Sequence, residues 1–256
     1  MNTRHELRTL AIVLRSRDYG ESDRIVTFYT QDFGKLAGIA KGARRSKRRF
    51  VNNLEAACCS RLLFSRKGDA SLALIEACDV LDHYPHIRED LSKNLLAAAM
   101  LELVDRFTAE GKANPPLFGT LRAFLAHLEG NIFRAGLLQF FTVRLLRLVG
   151  YAPVLDRCQH CGRAIGTAAC QFFPAKGGLL CDTCAGQASG GMKLAAGTVK
   201  TLLLVDSLPL DRVGRVALSA QALRESDELL RRFIVQLTGE ELRSFHVAEQ
   251  IRKLGL

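Results

Sequence analysis

An α+β architecture is expected for this chain: an N-terminal five-stranded OB-fold β-barrel, followed by an α-helical domain that a zinc-ribbon-like insert with four cysteines interrupts. Three observations predict it. Residues 8–80 carry short alternating runs rich in β-branched and aromatic side chains, separated by turn residues. After Pro85 the apolar spacing lengthens to the three-to-four-residue period of helices. Two C-x-x-C pairs then fall in a segment of different composition, residues 151–187. The expected division is residues 1–80 as the barrel and 81–256 as the helical domain around that insert.

Residues 9–15 read as a first strand, 18–23 as a turn, and 24–30 as a second strand. A turn at Asp32, Phe33 and Gly34 leads to a third strand over 35–41. Residues 54–64 and 71–78 supply the fourth and fifth. Five short strands in this compass fit a small Greek-key barrel of the OB type, and an SH3-like barrel has a similar count. Leu91, Leu95, Leu96, Ala99, Met100, Leu103 and Val104 mark the first helix. Asn114 followed by Pro115 reads as a cap and first turn for a second, which stops at Gly130. A third, over 133–149, is apolar on most faces and so belongs at the centre of a helical core. Residues 195–205, 220–237 and 240–254 complete the helices.

The chain has 256 residues, enough for a substantial core, and a net charge of +10 from 36 Lys+Arg against 26 Asp+Glu. Such an excess favours polyanionic partners, nucleic acid before anionic membrane. Residues 1–8 contain no apolar stretch of the signal-peptide kind, and the most apolar run, 95–104, is too short to span a bilayer. A cytoplasmic, nucleoid-associated protein without a membrane partner is expected. Eight cysteines in a reducing compartment are free thiols or metal ligands.

The positive charge peaks after the third strand. Lys41, Arg44, Arg45, Lys47, Arg48 and Arg49 place six cations within nine residues, which repel one another unless an anion is near. A solvated, disordered loop and a phosphate-contacting loop both fit the bare run. Arg15, Arg17, Arg24 and Lys35 extend the candidate DNA-binding set along the barrel. Tyr19, Phe28, Tyr29 and Phe50 are candidate base-stacking rings, at least two of which belong in the barrel core. Arg144, Arg147 and Arg157 are candidates for a second strand of nucleic acid.

Cys158-Gln-His-Cys161 and Cys181-Asp-Thr-Cys184 are separated by nineteen residues. Each C-x-x-C turn presents two thiolates, and two such turns supply four soft ligands in a closed shell. That is the pattern of a zinc-ribbon-like site holding one structural Zn²⁺, with no open position for catalysis. Cys170 is the rival ligand, and His160 lies within the first turn. Cys58, Cys59 and Cys78 fall on strands as small buried side chains. His83 and His86 flank Pro85 in a turn.

No catalytic constellation emerges. Asp18, Glu21 and Asp23 share one loop, where pairing with Arg17 and Arg24 is favoured over Mg²⁺. Gly34-Lys35 lacks the rest of a phosphate-binding P-loop. A non-enzymatic binding protein is the better expectation.

The run from Ala11 to Thr30, Phe33-Gly-Lys35 and Ala40-Lys-Gly-Ala-Arg-Arg45 resemble the opening motifs of the bacterial recombination mediator RecO family. Residues 150–162 and 177–181 resemble its zinc segment, so the similarity spans the chain. The resemblance implies an OB fold, a helical domain and a zinc-ribbon-like insert. It implies binding of single- and double-stranded DNA, annealing of complementary strands, and action with RecR and SSB to load RecA on SSB-coated DNA. Val51-Asn-Asn-Leu-Glu55 departs from the family's more usual proline- and phenylalanine-containing version. A zinc-ribbon RNA-binding or transcription-associated factor is the rival from outside the family.

Overall fold

The computed structural model describes residues 5–46, 49–50, 53–66, 72–130, 136–166, 170–186, 188–213 and 216–247. The chain divides into two compact units, Met1–Asn131 and Ile132–Leu256.

The first unit is built on a closed barrel of strands β1 (His5–Tyr19), β2 (Asp23–Thr30), β3 (Gly34–Ala40), β4 (Cys59–Arg66) and β5 (Ala73–Asp82). Its order is β1-β2-β3-β5-β4, closed by pairing of β1 with β4, with β3 and β5 parallel. This is the five-stranded Greek-key closure of an OB fold. The long first strand makes closure possible. Its first half, from His5 to Ile12, pairs with β4, and its second half, from Ala11 to Tyr19, pairs with β2. A bulge between Val13 and Arg15 bends it from one neighbour to the other. Alternation is visible in β3, where Gly34, Leu36, Gly38 and Ala40 turn inward and the residues between them are half-buried.

Ala11, Val13, Val26, Phe28, Leu36, Leu62, Phe64, Ile75 and Cys78 fill the interior. Four residues from the segment between β3 and β4 join them: Ala43, Phe50, Leu54 and Cys58. Residues 54–58, expected to open the fourth strand, are instead turns that plug the barrel. Ala57, at φ 68°, donates its N–H to the Val13 carbonyl, and the Cys58 carbonyl accepts from the Val13 N–H. Their apolar character reflects burial beside the β1 bulge, which sequence pattern cannot separate from strand pairing.

Helices α1 (Pro85–Glu89), α2 (Leu91–Phe107) and α3 (Pro115–Gly130) complete this unit. Asp90 caps α2 by accepting from the Lys93 N–H at 3.0 Å, and Asn114 caps α3 by accepting from the Leu117 N–H at 3.1 Å. The turn between β2 and β3 packs against the α2–α3 connection. Gly34 has φ +65°, and a Cβ there would stand 2.1 Å from the Lys112 carbonyl oxygen. Gly34→Ala therefore combines a left-handed backbone with a backbone clash and is expected to cost about 2–4 kcal/mol. Urea denaturation measures it; an unchanged midpoint would show that the turn can move away from α2 freely.

In the second unit, α4 (Leu137–Leu148) is buried on every face, with nine consecutive or near-consecutive positions from Leu137 to Leu146 inaccessible. Around it pack α6 (Ala196–Ser207) and α8 (Ala220–Thr238), with short α7 (Leu210–Val213) between them. Ser219 caps α8 by accepting from the Ala222 N–H at 3.1 Å, and Gly239 ends it at φ +78°. Residues 243–247 are helical, and the remainder of the helix expected over 240–254 lies outside the described residues. The insert supplies three strands of a four-stranded sheet of order β6-β8-β7-β9, namely β6 (Val154–Cys158), β7 (Cys170–Phe173) and β8 (Gly178–Cys181), and β9 (Met192–Leu194), beyond its expected end, supplies the fourth. One-turn α5 (Asp182–Ala185) follows β8. Phe172 of β7 meets Phe233 of α8 edge to face, at 5.7 Å between ring centres, and seats the sheet on the helices.

Among the described residues no helix is long and apolar enough to cross a membrane.

Candidate nucleic-acid interface and metal centre

The basic loop leaves β3 and folds back on the turn between β1 and β2. Its course is fixed by backbone chemistry. The Gly42 N–H and the Ser22 hydroxyl donate to Asp23 Oδ1 at 2.8 and 2.9 Å, and the Arg44 N–H donates to the Ser22 carbonyl at 2.9 Å. These bonds, the Gly42 amide first, hold the Asp23 carboxyl below its usual range. Further along, Ser46 Oγ accepts from the Arg49 and Phe50 N–H groups at 3.0 and 3.2 Å. With Ala43 and Phe50 buried in the barrel, the described part of the loop is an anchored rim.

Arg44, Arg45 and Arg49 project from it, exposed. Arg44 pairs with Asp18 at 3.4 Å and also donates to the Gly20 and Glu21 carbonyls, while Arg45 reaches Glu21 at 3.6 Å. Such exposed pairs are worth at most about 1 kcal/mol, so a phosphate can displace the carboxylate. Arg49 lies over the Phe50 ring at 4.7 Å and donates to the Lys41 carbonyl. Lys41 is exposed on the same rim, and exposed Arg17 makes no ion pair among the described residues. Lys47 and Arg48 lie outside the described residues.

The other candidate cations are differently placed. Arg24 is held between Glu55 at 2.8 Å and Asp18 at 3.2 Å, half-buried, and ties the loop to the turn. Arg15 and Lys35 converge on Asp105 of α2, at 3.0 and 3.2 Å, and Lys35 also donates to the Asp105 carbonyl at 2.6 Å. Lys35 is therefore a bolt between barrel and helix. Its neighbour Gly34 is a steric necessity. Asp18 and Glu21 are occupied by arginines, and Asp23 by Ser22 and the Gly42 amide. Asp105 and Glu55, which organise these cations, carry no local sequence signal. Ser46 does, because a serine three residues before Arg49 is a recognisable turn former.

Of the candidate stacking rings, Phe28, Tyr29 and Phe50 are buried, and Tyr19 is exposed. In the second unit Arg144 proves unavailable to any ligand. It is buried and donates to the Val205 and Leu208 carbonyls at the end of α6. Burial, and then the nearby Arg147, lower its pKa. Arg147 pairs with Asp206 and Arg157 with Asp156.

Cys158, Cys161, Cys181 and Cys184 bring their sulfurs within 4.8 Å of one another. Cys158 ends β6, Cys181 ends β8, Cys161 follows in the first turn, and Cys184 lies in α5. Cys161 and Cys181 Sγ are 3.8 Å apart, and a tetrahedral ion with ligands at about 2.3 Å has an edge of about 3.8 Å. The four residues thus fit a metal ion and are compatible with a zinc site. Burial opposes a thiolate at Cys158, but the Cys161, Cys181 and His160 amides outweigh it and bring this thiol to about 6. Cys184, hydrogen-bonded to Cys181 and crowded by the other sulfurs, is pushed up to about 12. The backbone thus stabilises a thiolate at Cys158, whereas the neighbouring sulfurs oppose one at Cys184, which a cation among them would favour. Cys170 is buried opposite Cys181 on β7, outside the cluster, and His160 is exposed. Cys58, Cys59 and Cys78 are buried in the first unit, where burial raises their thiol pKa values. His86 pairs with Glu129 at 2.7 Å.

Known sequences agree with this arrangement from end to end. The family described as Recombination protein O N terminal matches residues 1–84, and Recombination protein O C terminal matches residues 88–246. A protein named DNA repair protein RecO from Syntrophus aciditrophicus is 44% identical over the whole of both chains. Its namesake from Geobacter metallireducens is 38% identical over 95% of this chain and 97% of its own. A third, from Syntrophomonas wolfei, is 35% identical over 88% of each. An OB barrel, a helical unit with a four-cysteine ribbon, and similarity along the full length together place the chain in the recombination protein O (RecO) family.

Proposed function

We propose that the chain is a DNA-binding recombination mediator in recombinational repair, and not an enzyme. It binds single- and double-stranded DNA, anneals complementary strands, and acts with RecR to load RecA on DNA coated with SSB. The barrel, residues 1–80, is the nucleic-acid-binding domain; residues 81–256 form the helical domain, interrupted at about 151–187 by an insert that holds one structural Zn²⁺. Four thiolates leave the ion no open position, so its role is to hold the ribbon's strand ends together. The protein works in the cytoplasm, at the nucleoid.

One observation carries this reading: the anchored rim on which Lys41, Arg44, Arg45 and Arg49 stand exposed, with exposed Arg17 on the neighbouring strand β1. Two DNA strands repel each other through their phosphates. A scaffold that neutralises phosphates from a fixed framework lowers that repulsion and leaves base edges free to pair. The rim supplies cations and no catalytic group. Its carboxylates are already committed to arginines or to amides.

The deciding experiment is annealing of complementary SSB-coated strands, followed by fluorescence transfer, with and without RecR. Annealing that depends on this protein and responds to RecR is expected. Annealing no faster than with SSB alone would overturn the proposal, and tighter binding to RNA than to DNA would favour an RNA-directed factor.

A further inference from the structure

We propose that Tyr19 is the base-stacking residue of the rim, and that its ring, rather than the arginines, gives preference for unpaired DNA. This inference rests on the proposed DNA binding by the same rim and goes beyond it. Tyr19 is the last residue of β1 and stands opposite Asp23 across the three-residue turn of Gly20, Glu21 and Ser22. It is 53% exposed, and its ring and hydroxyl have no ring contact or hydrogen bond among the described residues. The other three rings near the loop are spent on the core: Phe28 and Tyr29 are fully buried and Phe50 is 5% exposed.

Position gives the exposed ring its meaning. Arg44 bonds the Gly20 and Glu21 carbonyls, which directly follow Tyr19 in the chain, and Arg45 reaches the Glu21 carboxylate. Tyr19 and two guanidinium groups thus sit at one turn, an arrangement suited to holding a base beside its backbone phosphates. No other part of the chain crowds Gly20, where a Cβ would meet nothing within 4 Å apart from its chain neighbours. In a duplex both faces of each base are already covered by neighbouring bases. Only an unpaired strand can lay a base face on the ring, whereas phosphates are offered by either form. The arginines bind both, and Tyr19 discriminates.

The chain contains no tryptophan, so Tyr19→Trp is a single-tryptophan protein whose emission reports on that site alone. Titration of the full-length variant with oligo(dT) is expected to quench its emission, and equimolar duplex to quench it far less. Tyr19→Ala is expected to weaken oligo(dT) binding about tenfold while leaving the log–log salt slope unchanged, because stacking releases no counterion. Tyr19→Phe, which keeps the ring and loses the hydroxyl, is expected to weaken it less than Tyr19→Ala. Unquenched emission on saturation with oligo(dT), or equal loss of single-strand and duplex affinity in Tyr19→Ala, would overturn the assignment to Tyr19. Wild-type protein that shows no salt-sensitive DNA binding would overturn the underlying reading of the rim instead.

Discussion

Cys158→Ser is expected to abolish stoichiometric metal binding and to melt the ribbon. The sheet's strands are three to five residues long, too short to hold it by hydrogen bonding alone. Two of them end at cysteines of the cluster, β6 at Cys158 and β8 at Cys181, so an ion bound there would fasten the sheet at its strand ends. Structural zinc in finger peptides contributes roughly 10–16 kcal/mol of apparent binding free energy, comparable to the whole stability of a domain. Wild-type protein should carry about one zinc per chain by metal analysis. Treatment with a strong chelator should open residues 151–187 to protease, and Cys158→Ser should behave like the chelated protein. Cys170→Ser is the internal comparison. That thiol is buried on β7 one strand away but outside the ligand cluster, so metal content should persist. Wild-type protein purified without metal yet resistant to protease in the insert would reject the site.

How far the sequence announced these features depends on the range of the interaction that makes them. The cysteine knuckles were legible because both members of each pair lie within one turn, and spacing alone sets their geometry. Strand β3 was legible for a similar local reason, since its inward positions recur with period two, whereas β2 is buried at every position from Val26 to Thr30 and was legible from its β-branched and aromatic residues. Residues 54–58 were misread because a plug that buries Leu54, Ala57 and Cys58 leaves the same apolar trace as a strand. Long-range pairing was invisible. Arg15 and Lys35 meet Asp105 at separations of ninety and seventy residues, and no spacing rule links them. Arg144 illustrates the opposite hazard: a cation on an apolar helix suggested a ligand contact, whereas its partners are the unpaired carbonyls at the end of α6. Charge was readable, but the allegiance of each charge was not. In the candidate interface, the distinction between exposed arginines on the rim and cations already engaged within the fold came only from three dimensions.

That distinction sets the second large effect. Replacing Arg44, Arg45, Arg48 and Arg49 together by alanine is expected to flatten the salt dependence of single-strand binding by about 3 log–log units, at about 0.7 per phosphate contact. Near 0.1 M salt this corresponds to a loss of about two to three orders of magnitude in affinity. The fold should tolerate the change. Apart from Arg49 over the Phe50 ring, the described side chains among them make only exposed contacts, and the rim is held by Ala43, Phe50, the Gly42 amide and Ser46, which remain. Lys35→Ala makes the contrasting case. Its ammonium is half-buried against Asp105, so removal should lower the unfolding midpoint while changing the salt slope by less than one phosphate contact. Fluorescence anisotropy of labelled oligo(dT) over a range of salt concentrations measures both. If the quadruple variant kept the wild-type slope, the phosphate path would run elsewhere on the chain. The arginines of the rim would then serve as intramolecular partners for Asp18 and Glu21, which hold the β1–β2 turn against the loop.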